Sequence, residues 1–182
     1  MKKEIVEWLQ SIAIALVIAF VITSFVTPLE VYSISMNPTL VEHDFLVLLK
    51  TKNVRKGDII SFGTDMPLSS EELESLGFLQ RLKGVRTKNL IKRVIGVEGD
   101  HISIKNGNVY VNDQQLVEEY LLEDYTFGDI NIDKIPEDKV FVMGDNRNHS
   151  MDSRDIGLID KEQIQGKVVL RVLPLGKIGR VE

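Results

Sequence analysis

The sequence predicts a mostly β domain standing behind one N-terminal helix that can cross a membrane. Three observations carry that expectation. From Trp8 to Leu29 there are 22 residues without a charge, between Glu7 and Glu30. After Pro28 the apolar residues fall into short runs separated by turn-rich segments. The stretch "HISIKNGNVYV" reads as a hairpin closed on Asn106-Gly107.

The apolar run comes first. A helix needs about 20 such residues to span the hydrocarbon of a bilayer, and the centre here, "IAIALVIAFVI", is almost wholly apolar. A cleaved leader has a shorter apolar core and a small-x-small exit. This run leaves through "VITSFVTPLE", with no alanine or glycine after Ala19. The expectation is therefore an uncleaved anchor: residues 1–7 as a cytoplasmic N-terminus, 8–29 as a transmembrane segment and 30–182 as an extracytoplasmic domain. Lys2 and Lys3 precede the run and no basic residue follows it before Lys50. The positive-inside bias then places the N-terminus in the cytoplasm.

The strands follow in order. "DFLVLLK" (Asp44–Lys50) and "DIISF" (Asp58–Phe62) flank the turn-rich "TKNVRKG". Asn106-Gly107 suits a two-residue type I′ turn. That register pairs Ile104 with Val109 and Ile102 with Val111 on one apolar face, and turns Ser103 and Tyr110 to the other. "KVFVMGD" (Lys139–Asp145) and "GKVVLRVLPL" (Gly166–Leu175) add two more strands. One segment departs: residues 69–88 open with a Ser69–Glu72 capping pattern. Leu73, Leu76, Leu79 and Leu82 there recur at a helical step, weakened by Gly77. A helical excursion is expected, as a lid over lipid headgroups or as a solvated surface segment.

Composition removes several function classes. A net charge of -5 argues against a general nucleic-acid binder. With 0 cysteines there is no thiol nucleophile, disulfide framework or cysteine-based metal site. His43, His101 and His149 lack the H-E-x-x-H spacing, and no phosphate-binding G-x-x-x-x-G-K-[ST] loop occurs. No metal and no cofactor are expected.

Three clusters hold the candidate chemistry. "SISMNPTL" (Ser33–Leu40) places two hydroxyls and a proline just after the apolar run; it reads as a surface turn or as a nucleophile's turn. In "NLIKRVIGVEGD", Lys92 interrupts an apolar strand. Alternation sets Leu90, Lys92 and Val94 on one face and Ile91, Arg93 and Ile95 on the other. Lys92 is either an edge lysine reaching water or a buried one. Burial disfavours the charged form and lowers the pKa, and a neutral amine can take a proton from a serine hydroxyl. The third cluster, "GDNRNHSMDSR" (Gly144–Arg154), is dense in charged and hydrogen-bonding groups; it reads equally as a polar loop cross-linked by Asp–Arg pairs.

Taken together, an N-terminal anchor, "SISMNPTL", "KGDIISF", "KRVIGVEGD" and "GDNRNHSMDSR" in this order closely resemble the type I signal peptidases, in their Gram-positive form. The resemblance covers essentially the whole chain. It implies two antiparallel β-sheets carrying a cleft near the membrane, and a Ser-Lys endopeptidase that removes signal peptides after small-x-small sites. On the matching positions it implies Ser35 as nucleophile and Lys92 as general base. It implies the Ser33 hydroxyl as an oxyanion donor beside the Ser35 N–H, and Ser150 as a hydrogen-bond partner of the lysine amine. Asp152 and Arg154 match a supporting ion-pair network, while Asp145, Arg93 and Arg147 complete the motifs. Val31, Tyr32 and Met36 are pocket candidates by position. The implied partners are signal peptides of exported preproteins, the lipid bilayer and the secretion translocon; the implied location is a single pass in the cell membrane.

Glu98 stands where the family usually has proline, and Ser33 where Gram-positive members often have glycine. Two other readings compete. A self-cleaving Ser-Lys repressor would need a DNA-binding module in place of the anchor. A non-cleaving assembly factor for exported or pilus subunits would leave Ser35 and Lys92 idle.

Overall fold

A computed structural model describes residues 2–75, 82 and 84–181. Helix α1, Lys2–Phe25, is followed directly by strand β1, Val26–Glu30. An 18-residue window within its stretch Lys3–Phe25 has a mean hydropathy of 2.3, and the stretch meets the length and composition of a membrane span. The hydroxyl side chains within it are satisfied locally: Ser11, Thr23 and Ser24 donate to carbonyls three or four residues back. That is how hydroxyls are accommodated in a helix without water.

The helix ends earlier than the apolar run. Val26–Leu29, expected at the end of the span, belong to β1. The cause is local: Pro28 lacks an N–H and disfavours helical geometry in the residue before it. As β1 lies at the edge of its sheet, Pro28 leaves no central ladder bond unmade. Lys50 closes the helix end, its backbone N–H bonding Phe25 O at 2.8 Å and its Nζ bonding Thr23 O at 2.7 Å.

The remaining strands are β2 (Phe45–Leu49), β3 (Ile59–Pro67), β4 (Thr87–Val97), β5 (Ile102–Lys105), β6 (Asn108–Val111), β7 (Gln114–Gln115), β8 (Ile130–Ile132), β9 (Lys139–Met143), β10 (Ile159–Asp160) and β11 (Ile164–Leu173). They form a seven-stranded sheet, β1-β2-β11-β3-β4-β9-β10, and a four-stranded sheet, β7-β6-β5-β8, with antiparallel pairing throughout. The predicted hairpin has the predicted register, Ile102 opposite Val111 and Ile104 opposite Val109. Asn106 (φ 52°) and Gly107 (φ 80°) both take positive φ, as a type I′ turn requires.

The larger sheet is buried on both faces where β9 crosses it. Val140 and Val142 join a core with Ile60, Phe62 and Val94. Phe141 and Met143 face the smaller sheet and pack with Ile102, Ile104 and Ile135. A third core of Val31, Met36, Leu40, Leu46, Leu48, Ile59 and Val168 lies under the Ser33–Leu40 turn. At the turn after β4, Glu98 pairs with Lys161 at 3.3 Å. Asp100 closes that turn, its N–H bonding Val97 O at 3.0 Å and its carboxylate accepting the Val97 N–H at 3.0 Å.

Of the expected excursion at residues 69–88, the described part includes helix at both Ser70–Ser75 and Leu82. A helix covers Ser70–Ser75, with Ser69 O accepting from Leu73 N–H, while Thr87 and Lys88 already belong to β4. Leu76, Gly77 and Leu79 lie outside the described residues.

Candidate active site

Ser35 sits in a single turn of 3-10 helix, Ile34–Met36, directly above the third core. Met36 is 1% exposed and anchors the turn from below. From the other side Asn146, itself buried, binds the turn twice. Its backbone N–H donates to Ser35 O at 3.0 Å and its Nδ2 to Ile34 O at 3.1 Å. Gly144, at the end of β9, comes closer still. A Cβ there would lie 2.3 Å from Ser150 Oγ and 2.4 Å from Ser35 O, so only glycine fits.

Lys92 reaches this turn from β4. It is 2% exposed, and its Nζ donates to Ser35 Oγ at 2.6 Å and to Ile91 O at 3.0 Å. It is thus the buried lysine of the two sequence alternatives. Desolvation pulls its pKa from 10.5 to about 8, against the opposing pull of Asp152 and Asp145; Arg154 reinforces the fall. About a tenth of the amine is therefore neutral at pH 7, far more than for an ordinary lysine, and able to accept the Ser35 proton.

The acidic and basic residues of the two motifs pair off in the interior. Arg93 grips Asp145 with two bonds, Nε to Oδ1 at 2.9 Å and a terminal nitrogen to Oδ2 at 2.8 Å. Thr39 donates to the same carboxylate, tying it to the nucleophile turn. Asp152 accepts from Gly144 N–H at 3.0 Å and from Arg154 Nε at 2.9 Å, and caps the short helix Ser153–Ile156. Arg154 in turn donates to the carbonyls of Arg147 and Phe127.

Arg147 is fully buried, donates to Gly144 O at 3.0 Å and pairs with Glu118. Tyr120, from the same loop as Glu118, lies 3.9 Å beneath the Arg93 guanidinium. Glu118, Tyr120, Thr39, Gly144 and Asn146 escaped the sequence reading as individual site residues. Thr39, Gly144 and Asn146 at least lie inside the clusters singled out, whereas nothing local separates Glu118 from Glu119.

One expectation is corrected. Ser150 makes no bond to the lysine amine: its Oγ is buried beside Gly144 and has no hydrogen-bond partner among the described residues. The amine turns instead to Ser35 Oγ and Ile91 O. Ser33 Oγ is engaged as an acceptor, a bond that does not use its own O–H. It caps the turn by taking the Ser35 N–H at 3.2 Å.

A groove of about 640 Å³ runs past the pair, with Val31, Tyr32, Ser35, Met36, Lys92 and Met151 among its walls. Val31 and Met36 are buried in the third core as well, at 2% and 1% exposure, so each presents only an edge to the groove. Tyr32 stands exposed at the rim, its hydroxyl donating to Glu30 at 2.7 Å. Ser35 and Lys92 thus meet at the base of an extended, mainly apolar channel.

The chain matches the family described as signal peptidase, peptidase S26, over residues 5–173. It is 36% identical to signal peptidase I P of Bacillus subtilis subsp. natto, covering 97% of this chain and 94% of that one. It is 35% identical to signal peptidase IB of Staphylococcus aureus strain COL, with the same coverage of 97% and 94%. A crystal structure of a signal peptidase I from Enterococcus faecalis V583 aligns with a TM-score of 0.47 at 26% identity, over 63% of this chain and 96% of that one. A family match from the first helix to the last strand, together with near-full-length identity above a third, leaves one assignment: the chain belongs to the signal peptidase family, peptidase S26.

Proposed function

We infer that the protein is a membrane-anchored serine endopeptidase that removes signal peptides from exported preproteins. The observation that carries the reading is the buried Lys92 Nζ, 2.6 Å from Ser35 Oγ at the base of a groove. Ser35 Oγ attacks the scissile carbonyl while Lys92 takes its proton. The amine then returns that proton to the leaving nitrogen, and the C–N bond breaks. Lys92, neutral again, deprotonates a water that attacks the acyl-enzyme ester and frees Ser35. The Ser35 N–H binds the carbonyl oxygen as it gains negative charge. Ser33 is proposed as the second donor, its hydroxyl leaving the Ser35 N–H when substrate arrives.

The narrow edges that Val31 and Met36 present to the groove suit small side chains at the first and third positions before the cut. Helix α1 is proposed as a single pass with its N-terminus in the cytoplasm. The absence of a linker between the helix and β1 supports a placement of Ser35 beside the bilayer, where a preprotein leaves the translocon.

The test is incubation of the detergent-purified protein with a preprotein carrying an Ala-x-Ala site, with the cut located by mass spectrometry. Cleavage after the second alanine by the native protein, and none by Ser35→Ala, is expected. Equal cleavage of a preprotein with phenylalanine at the position before the cut would contradict the pocket assignment.

A further inference from the structure

The Ile34–Ser35 peptide is trans, so the Ile34 carbonyl and the Ser35 N–H project from opposite edges of one rigid plane. Whatever holds the carbonyl fixes where the N–H points. Ile34 O is held twice, by the Asn37 N–H at 3.0 Å within the turn and by Asn146 Nδ2 at 3.1 Å from across it, and only the second bond ties the carbonyl to a distant element. The N–H on the far edge faces Ser33 Oγ at the groove. The peptide on the other side of the nucleophile is held by the same residue, since Asn146 N–H bonds Ser35 O at 3.0 Å.

The Asn146 amide is itself oriented. Its Oδ1 lies 3.3 Å from His149 Nδ1. An amide oxygen only accepts, so the ring nitrogen carries the hydrogen and Nδ2 is left facing Ile34. Asn146 is 3% exposed, and no bulk water competes for these bonds.

We propose that Asn146 is the positioning residue that aims the oxyanion-binding N–H of Ser35, by pinning both peptide planes that flank the nucleophile. This rests on the acyl-transfer reading above. Asn146 touches neither Ser35 Oγ nor Lys92 Nζ, so its loss leaves the proton transfer intact and misdirects the donor. The effect therefore falls on the transition state. A misplacement of about 1 Å at such a donor costs about 10²-fold in rate.

The experiment compares Asn146→Ala, which deletes the side-chain donor, with Asn146→Asp, which keeps its shape but sets an acceptor against Ile34 O. Both are measured in the full-length protein for kcat, KM, melting temperature and the pH midpoint of cleavage. Affinity is also measured for a substrate-like peptide aldehyde, whose hemiacetal oxygen with Ser35 occupies the oxyanion position. Both variants should lose about 10²-fold in kcat. The aldehyde should weaken in parallel, while KM and the pH midpoint stay where they are. Either variant keeping kcat within threefold overturns the proposal. So does a loss that tracks melting temperature alone, or one that spares the aldehyde. Ser35→Ala separates the two levels. If it still cleaves, the acyl-transfer reading fails; if it is inactive while the Asn146 variants are unaffected, this inference alone fails.

Discussion

Lys92 Nζ lies 2.6 Å from Ser35 Oγ across 57 residues of sequence, with both groups withdrawn from water. The expected rate, stability and mutational behaviour of the protein follow from that contact and from the buried pairs around it.

Cleavage should rise with pH through an apparent pKa near 8, because Lys92 must be neutral to accept the proton and burial lowers its pKa to about 8. The same shift acts on stability with a definite sign. Between about 8 and 10.5 the unfolded chain holds a proton that the folded chain has released, so stability rises with pH across that window. Below it the buried ammonium costs the fold roughly 3 kcal/mol. Lys92→Met should therefore melt higher than the native protein at pH 7, with the gain shrinking toward pH 10. Thermal melts at several pH values check this; a gain that grows with pH would contradict it.

Glu118 is the counter-charge of a guanidinium with no exposure, and its own side chain is 5% exposed. Glu118→Ala strands Arg147 and should destabilise by about 3–5 kcal/mol. Joint replacement with apolar residues of similar volume, Glu118→Leu with Arg147→Met, should recover most of that loss. Urea unfolding of both single variants and the pair measures the coupling. Additive losses would mean the two groups do not act together.

Gly144 admits no side chain, because Ser35 O stands 2.4 Å from where a Cβ would sit. Gly144→Ala must push the nucleophile's turn aside, and a shift of about 1 Å there should cost about 10²-fold in kcat. Removing the Ser150 hydroxyl in the same protein should not restore activity, since the backbone contact persists. Recovery in the Gly144→Ala, Ser150→Ala double variant would show that Ser150 alone sets the constraint.

Ser33→Ala separates a catalytic hydroxyl from one that only caps the turn. Loss of an oxyanion donor should lower kcat by about 10²- to 10³-fold with little change in KM. Loss of the capping bond to the Ser35 N–H alone should cost about 1 kcal/mol of stability. The kinetic pattern is the one expected here. A kcat within threefold of native would leave Ser33 as a turn residue.

Much of this was legible before any coordinates. Asn106-Gly107 set the hairpin register because only residues tolerant of positive φ close such a turn. Lys92 stood out because a lysine inside an apolar strand needs a reason to be there. What sequence could not supply were relations between distant segments. Hydrophobicity alone does not divide a membrane helix from the apolar edge strand that follows it, so the helix end at Phe25 was missed. Glu118 and Glu119 look alike in the chain, and only packing against Arg147 distinguishes them. The turn cap by Ser33, and a Ser150 hydroxyl without a partner among the described residues, depend on fractions of an ångström that no motif encodes.

The most direct test of the Ser35–Lys92 pair is the kinetic cycle of Ser35→Ala, Lys92→Ala and the double variant on one preprotein, read as first-order cleavage rates. If the two groups form one catalytic unit, each single change removes nearly all activity and the double variant is scarcely slower than either. Cleavage close to the native rate in either single variant, or losses that multiply in the double, would contradict it.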